Sequence, residues 1–351
     1  MSSLGTPALA AIFVCGAVAT WIAGTYLSKT TDALDDRLGL GEALGGMILL
    51  AVAGSLPEVA ITVSAVLSGN LGLAAGNLIG GIAIQTLVLV VLDASVRGNR
   101  PLSFLVGSLV PVLEALLVIA VVGVMLMGTQ LPESAAIGGV VSPASLLIVL
   151  IWAAGIFVLN RARKSEVWEV HAPESKPGRK HVREEHPAVP KPYAKAKTTT
   201  VALVFGIGSL VTLAAGYVLA ESGNVLADRL GMTGAVFGAT VLAAVSALPE
   251  ISSGIAAIRL GDHQLAAADI LGGNAFQLCL FLLADLLALS PVLPQTQHSD
   301  IYLGAVGALL TAIVAAAIIV RPQRRYFRLG VDSIVLVALY ALALALLPQI
   351  T

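Results

Sequence analysis

Ten long apolar runs dominate the chain, at about 6–27, 40–68, 72–95, 104–127, 138–160, 199–221, 232–258, 264–290, 301–320 and 331–349. Each is near or above the ~20 residues that a helix needs to cross the ~30 Å hydrocarbon core of a bilayer. A backbone in lipid has no water to bond to, so only helices and closed barrels span it. Composition agrees: 57% of residues are hydrophobic and 12% charged, whereas soluble domains carry about 25% charged residues. The expected fold class is therefore an all-α polytopic membrane protein with the lipid bilayer as its surroundings. No basic residue precedes Lys29. The first run thus lacks the charged leader of a signal peptide and is read as a retained helix.

Charge is distributed unevenly along the loops. With the N-terminus placed outside, 19 of the 20 Lys and Arg residues fall on the inner side, and Arg229 is the exception. The positive-inside rule then predicts both termini outside and segment 161–198 in the cytoplasm of a cell (inner) membrane protein. That segment is rich in Pro, Lys and Glu and has no long apolar period, the composition of a flexible linker. It divides the chain into residues 1–160, the linker 161–198 and residues 199–351, with five helices in each half.

The halves repeat one another. A shift of 192 residues superposes Asp36-Arg37-Leu38-Gly39 on Asp228-Arg229-Leu230-Gly231 and Leu56-Pro57-Glu58 on Leu248-Pro249-Glu250. The same shift pairs Gly80-Gly81 with Gly272-Gly273, Gln85 with Gln277 and Asp93 with Asp285. Polar matches at a single offset, in apolar sequence, indicate duplication. Because each half has an odd number of helices, the second enters the membrane from the opposite side. Inverted repeats of this kind are a transporter architecture, with the site at broken helices near the midplane.

The two Pro-Glu pairs mark where such breaks are expected. Proline removes a backbone donor and clashes with the preceding turn, which frees carbonyls near Ala53 and Gly54 and near Val245 and Ser246. Glu58 and Glu250 add a negative charge at the same depth. An acid buried in a membrane is costly and is read as functional by default. Inverted symmetry would bring the two carboxylates face to face, where a divalent cation cancels both charges. Calcium suits such a site because it takes about 6–8 oxygen ligands in flexible geometry. The five histidines (His171, His181, His186, His263 and His298) fall outside the apolar runs, and Cys15 and Cys279 stand apart from the repeated polar positions. Soft-metal chemistry is therefore disfavoured. No nucleotide-binding motif is present, which argues against ATP drive.

At these residues the chain resembles the Ca²⁺/cation antiporter superfamily, which includes the sodium/calcium exchangers. Members carry two repeats, each opening G-T/S-S-L-P-E and continuing G-N-x-I-G-S-N-x-x-N. Here the first repeat motif, 53–93, contains "AGSLPE" and "GNLIGGIAIQ"; the second, 245–285, contains "VSALPE" and "ADILGGNAFQ". The separation from Glu to the last polar residue is 27 in both. The resemblance implies a ten-helix fold of two inverted repeats and a secondary active antiporter, not an enzyme. It would move Ca²⁺ in exchange for H⁺ or Na⁺, with no resident cofactor and no nucleic-acid partner.

Carried over position by position, the resemblance makes Glu58 and Glu250 the central cation ligands. Gln85 and Gln277 stand where exchangers have Asn or Asp. Gly54 stands where many members have Thr, while Ser246 keeps that hydroxyl in the second repeat and Ser55 keeps the adjacent serine. Asn274 matches the motif Asn. Gly81 and Gly273 replace its Ser, so three hydroxyl positions are glycine. The loss of sodium-binding hydroxyls tilts the expectation toward protons, with sodium the alternative. Asn77 and Asp269 pair by the repeat and would cap or bridge broken backbone near the site. Asp93 and Asp285, about 12 Å along the helix from the glutamines, would guard entrances, relay protons or simply end helices. Glu114, which has Val306 as its repeat partner, is a fourth-helix acid with no acidic counterpart in the other repeat, and a proton site is the lesser of its readings. Two further readings are a related exchanger of another cation (Na⁺/H⁺ or Mg²⁺) and an intramembrane hydrolase using paired acids.

Overall fold

The computed structural model describes residues 1, 3–38, 52–164, 193 and 196–350. The start of the 40–68 run and most of the 161–198 linker lie outside these residues. In chain order the helices are α1 (Thr6–Leu38), α2 (Leu56–Leu67), α3 (Leu71–Ser95), α4 (Val110–Gly128) and α5 (Pro143–Lys164). The second half contributes α6 (Thr198–Arg229), α7 (Gly234–Leu260), α8 (His263–Ala288), α9 (His298–Val320) and α10 (Val331–Leu346). Among the described residues nine of these are long and apolar enough to cross a membrane; α2 is the shorter apolar helix that completes the 40–68 run. His263 and His298, expected in loops, are the first residues of α8 and α9.

Burial sorts the helices into a centre and a shell. In α3, 83% of the most apolar window is buried, against 28% in α6 and α10. Tight helix contacts at the centre are made by small residues, as in membrane bundles generally. A Cβ added to Gly76 would lie 2.2 Å from the Ala235 carbonyl oxygen, and one on Gly80 would lie 2.3 Å from Ala239 Cα. So α3 meets α7 backbone to backbone. The long helices α1 and α6 lie against each other and cross to the opposite repeat: Gly24 of α1 abuts Pro249, while Gly216 of α6 abuts Ala60 and the Pro57 carbonyl. Gly24 and Gly216 are themselves repeat partners, so the inverted symmetry extends to packing.

Local chemistry follows the repeat too. Asn70 and Asp262 are N-caps at equivalent positions, accepting from the backbone N–H of Leu73 and Leu265, one of the four donors a helix start leaves unsatisfied. Arg229, the exception to the charge asymmetry, ties the end of α6 to the start of the chain. It donates to Thr6 Oγ1 at 3.0 Å and to the Leu4 carbonyl at 2.6 Å.

Candidate functional site

The Pro-Glu pairs sit at helix restarts. In the first repeat the helix breaks at Ser55 and α2 begins at Leu56; in the second, α7 breaks at Ala247 and resumes at Leu248. Pro57 and Pro249 then occupy the first turn of the restarted segment, where a missing N–H costs nothing. Glu58 and Glu250 follow in the same turn, where the positive end of the helix dipole attracts a carboxylate. The motif thus places each acid at the N-terminal end of a half-helix. A second irregularity lies just upstream in α7, where Gly238–Leu242 is π-helical.

A cavity of about 120 Å³ lies between these breaks, lined by Gly54, Ser55, Gln85, Glu114, Glu250 and Asp269 among others. It has room for several waters. Of the ten residues the sequence nominates, Gly54, Ser55, Gln85, Glu250 and Asp269 line it. The other five, Glu58, Asn77, Ser246, Asn274 and Gln277, are buried in the surrounding helices. Glu58 is 1% exposed and meets the cavity through Gln85, whose Nε2 donates to Glu58 Oε1 at 3.2 Å. Glu250 is within electrostatic reach of both Glu58 and Asp269. The second oxygens of Glu58 and Glu250 are buried with no hydrogen-bond partner, an arrangement that is costly for a charged group.

The expected freed carbonyls are only half realised as cavity wall. Ala53 and Gly54 line the cavity; Val245 and Ser246 do not, and the Ser246 hydroxyl turns back to the Ala243 carbonyl at 3.2 Å. Gln277 crosses to the other repeat, donating to the Asn77 and Leu78 carbonyls at 3.2 and 2.8 Å. Asn274 donates to Thr86 Oγ1 at 3.3 Å. Asp269 accepts from Ser253 Oγ at 2.8 Å. Ser253 also lines the cavity, and nothing in its sequence signals this, because its repeat partner is Ile61. Glu114 joins the wall as well, and here the intramembrane acid was the signal.

Asp93 and Asp285 have the same structural task. Asp93 accepts from the N–H groups of Leu102 and Gly330 at 2.7 and 2.6 Å and from Ser333 Oγ at 2.7 Å. Asp285 accepts from the N–H groups of Val292 and Ser142 at 2.7 and 2.9 Å. Each staples the loop after its own helix to the start of the last helix of a repeat.

The cavity extends toward one end of the bundle. Its lining includes Thr31, Leu159 and Leu265, near the end of α1, the end of α5 and the start of α8. At the other end, Ser68 bonds Glu221 and Asn70 bonds Asn224, joining α2 and α3 to α6. Among the described residues, no Lys, Arg or His lines the cavity. Among the described residues, no three His, Cys, Asp or Glu side chains are gathered closely enough to hold one metal ion. Set in a largely apolar wall, the cavity's polar groups are dispersed carboxylates, an amide and hydroxyls, donor types that suit hard cations.

Comparison with known proteins supports the same reading. The chain is 25% identical over 272 residues to the inner membrane protein YrbG of Escherichia coli (strain K12), covering 78% of this chain and 77% of that one. The fold is shared with the H⁺/Ca²⁺ exchanger CAX, with a TM-score of 0.69 at 15% identity over 97% of this chain and 81% of that one. It is also shared with the sodium-calcium exchanger NCX_Mj, with a TM-score of 0.59 at 15% identity over 96% and 97%. The family described as "Sodium/calcium exchanger protein" matches residues 8–161 and 200–347, both halves of the chain. With paired Pro-Glu breaks around one anionic cavity and a family match on each repeat, the chain belongs to the sodium/calcium exchanger family, as a multi-pass membrane exchanger and not an enzyme.

Proposed function

We propose that the protein moves Ca²⁺ across a cell (inner) membrane in exchange for H⁺ or Na⁺, by alternating access. The observation that carries this reading is the cavity at the two helix breaks, whose largely apolar wall is interrupted by Ser55, Gln85, Glu250 and Asp269 and, among the described residues, by no cationic side chain. Glu58 and Glu250 are the central pair for the divalent ion, with Gln85 holding Glu58 in place. Backbone oxygens of the first break and the Ser55 hydroxyl supply further ligands. Asp269 lies in the cavity wall, and Ser246, Asn77, Asn274 and Gln277, buried around it, support the site and complete it when the halves exchange roles. Three glycines at hydroxyl positions favour protons over sodium as the counter-ion.

With the arginine-rich loops in the cytoplasm, both termini lie outside and the cavity extends toward the cytoplasmic end. A cysteine replacing Pro177 then reacts with an impermeant label only from the cytoplasmic side; labelling of intact cells from outside reverses the orientation. Transport is tested in proteoliposomes loaded with calcium at clamped membrane potential. An inward pH gradient without sodium drives calcium out if protons are the counter-ion. Efflux only under a sodium gradient assigns the role to sodium. No calcium flux under either gradient removes the reading.

A further inference from the structure

The connection between α9 and α10 is short and basic. Residues 321–330 carry Arg321, Arg324, Arg325 and Arg328, and the loop after α3 adds Arg97 and Arg100; neither 96–109 nor 321–330 contains an acid. Some of these guanidinium groups hold structure. The Arg325 side chain, 5% exposed, donates to the carbonyls of Asp93, Val96, Gly98 and Arg328 and lies 4.0 Å from the Asp93 carboxylate. Arg321 donates to the Phe104 carbonyl at 2.6 Å, and both Arg321 and Arg100 stack on the Phe104 ring. Arg97, Arg324 and Arg328 are different: they are exposed, and among the described residues none of the three has an ion-pair partner.

The same connection folds into a hairpin. Strands β1 (Arg325–Tyr326) and β2 (Leu329–Gly330) pair antiparallel with Tyr326 opposite Leu329, which leaves Phe327 and Arg328 as a two-residue turn. Turns of this length favour positive φ at both positions and normally use Asn-Gly. Here φ is +51° at Phe327 and +71° at Arg328, a region that bulky side chains enter only under strain. The base of the hairpin imposes it. Arg325 ties β1 to the loop after α3, and the Gly330 N–H donates to Asp93 Oδ2 at 2.6 Å. What the strained turn achieves is to hold Phe327, 98% exposed, at the tip beside the exposed Tyr326. Strain that the surrounding structure enforces points to function. The hairpin also has a definite depth. Ile319 and Val320 at the end of α9 and Val331 at the start of α10 are exposed apolar residues of spanning helices, so the hairpin stands where hydrocarbon gives way to headgroups. Aromatic rings favour that boundary, and guanidinium groups match phosphate oxygens in pairs.

We propose that this hairpin and the adjoining loop form a binding site for an anionic phospholipid. Arg97, Arg324 and Arg328 hold the headgroup phosphate, while Tyr326 and Phe327 enter the boundary beside the acyl chains. Arg325 and Asp93 position the hairpin and do not touch the lipid. The site does not depend on which ions the protein exchanges.

The test uses full-length protein, delipidated in neutral detergent and titrated with dioleoyl phosphatidylglycerol, dioleoyl phosphatidylcholine or inorganic phosphate. Native mass spectrometry counts bound lipid, and the thermal midpoint is followed in parallel. Phosphatidylglycerol should bind saturably and raise the midpoint. Phosphatidylcholine should bind at least about tenfold more weakly, and inorganic phosphate should leave the midpoint unchanged. Replacing Arg324→Gln together with Arg328→Gln should weaken phosphatidylglycerol binding about 10- to 30-fold. Arg324→Lys with Arg328→Lys keeps the charge and should weaken it only about threefold. Phe327→Asn puts a residue that tolerates positive φ in the turn. It should melt no lower than wild type without lipid, yet bind phosphatidylglycerol about fivefold more weakly. That variant carries the test if the glutamine pair does not fold. Lys197→Gln, which removes an exposed charge at the start of α6, is the control and should change binding by less than about twofold. Equal binding of the two lipids overturns the proposal, as does unchanged phosphatidylglycerol binding in the glutamine pair or in Phe327→Asn. An equal loss in Lys197→Gln overturns it as well, because the attraction is then to overall charge. A midpoint shift by inorganic phosphate as large as that by lipid also overturns it, since the arginines then hold a free anion.

Discussion

The two repeats carry the same pattern and present it differently. In the first, Gln85 donates to Glu58, and Gly54 and Ser55 line the cavity. In the second, Gln277 donates instead to backbone carbonyls of α3, and Ser246 is 1% exposed and bonded to its own helix. The glycine pair differs in the same way. A Cβ on Gly81 would meet Gln277 Nε2 at 2.2 Å, whereas nothing lies within 4 Å of one on Gly273. Both breaks reach the cavity, the first through Gly54 and Ser55 and the second through Pro249 and Glu250, but Gln85 faces it while Gln277 is tied to the opposite repeat. Similar sequences therefore hold two conformations at once, which is what a carrier needs if its halves exchange roles. On the antiport reading, the exchange of those roles is the transport step.

The largest effect expected from disturbing this comparison comes from the acids. Glu58→Gln and Glu250→Gln should each cut calcium transport by about 100-fold or more while the protein stays folded, since a desolvated divalent ion cannot replace a lost carboxylate from water. The comparison is sharpened if both fall equally despite the different burial of the two side chains. Full transport by either folded variant removes that residue from the site.

A smaller effect separates the glycines. Gly81→Ser overpacks the site and should destabilise by about 1–3 kcal/mol, read as a lower thermal midpoint in detergent. Gly273→Ser should stay within about 0.5 kcal/mol of wild type and place a hydroxyl on the cavity wall, raising any sodium dependence of flux. Equal destabilisation by the two substitutions would show that the asymmetry of Gln277 is absent in the membrane.

The smallest difference expected is between the two staples. Asn keeps one acceptor oxygen and loses the charge. Asp93→Asn gives up more than Asp285→Asn, because Asp93 also faces the buried Arg325 guanidinium at 4.0 Å, whereas the described donors to Asp285 are neutral. The gap should be about 1 kcal/mol in unfolding free energy. Both variants should keep the coupling ratio, since neither acid is a cavity-wall residue. A changed ratio in either would restore the proton-relay role for that acid.

Much of this protein is set by chemistry that acts over a few residues. Apolar runs of spanning length must become helices because lipid offers the backbone no other partner. Proline in Leu56-Pro57-Glu58 and Leu248-Pro249-Glu250 must fall where no donor is needed, which puts the break just before it and the acid just after it. The inverted arrangement followed from an odd helix count in each of two matching halves. None of this depends on which helix touches which, so it could be read along the chain. The cavity wall could not. Gln277 finds its acceptors 199 and 200 residues away, and whether it does so depends on how closely α3 and α8 approach. Ser253 and Glu114 reach the cavity, and Asn77 and Asn274 are packed away from it, through helix rotations that a local period leaves free. Asp93 and Asp285 became staples only once distant loops brought N–H groups to them. The tertiary structure decided these points because a through-space contact depends on crossing angles and on how far small residues let backbones close, as Gly76 and Gly80 do against Ala235 and Ala239. A repeated sequence specifies equivalent positions but not equal surroundings.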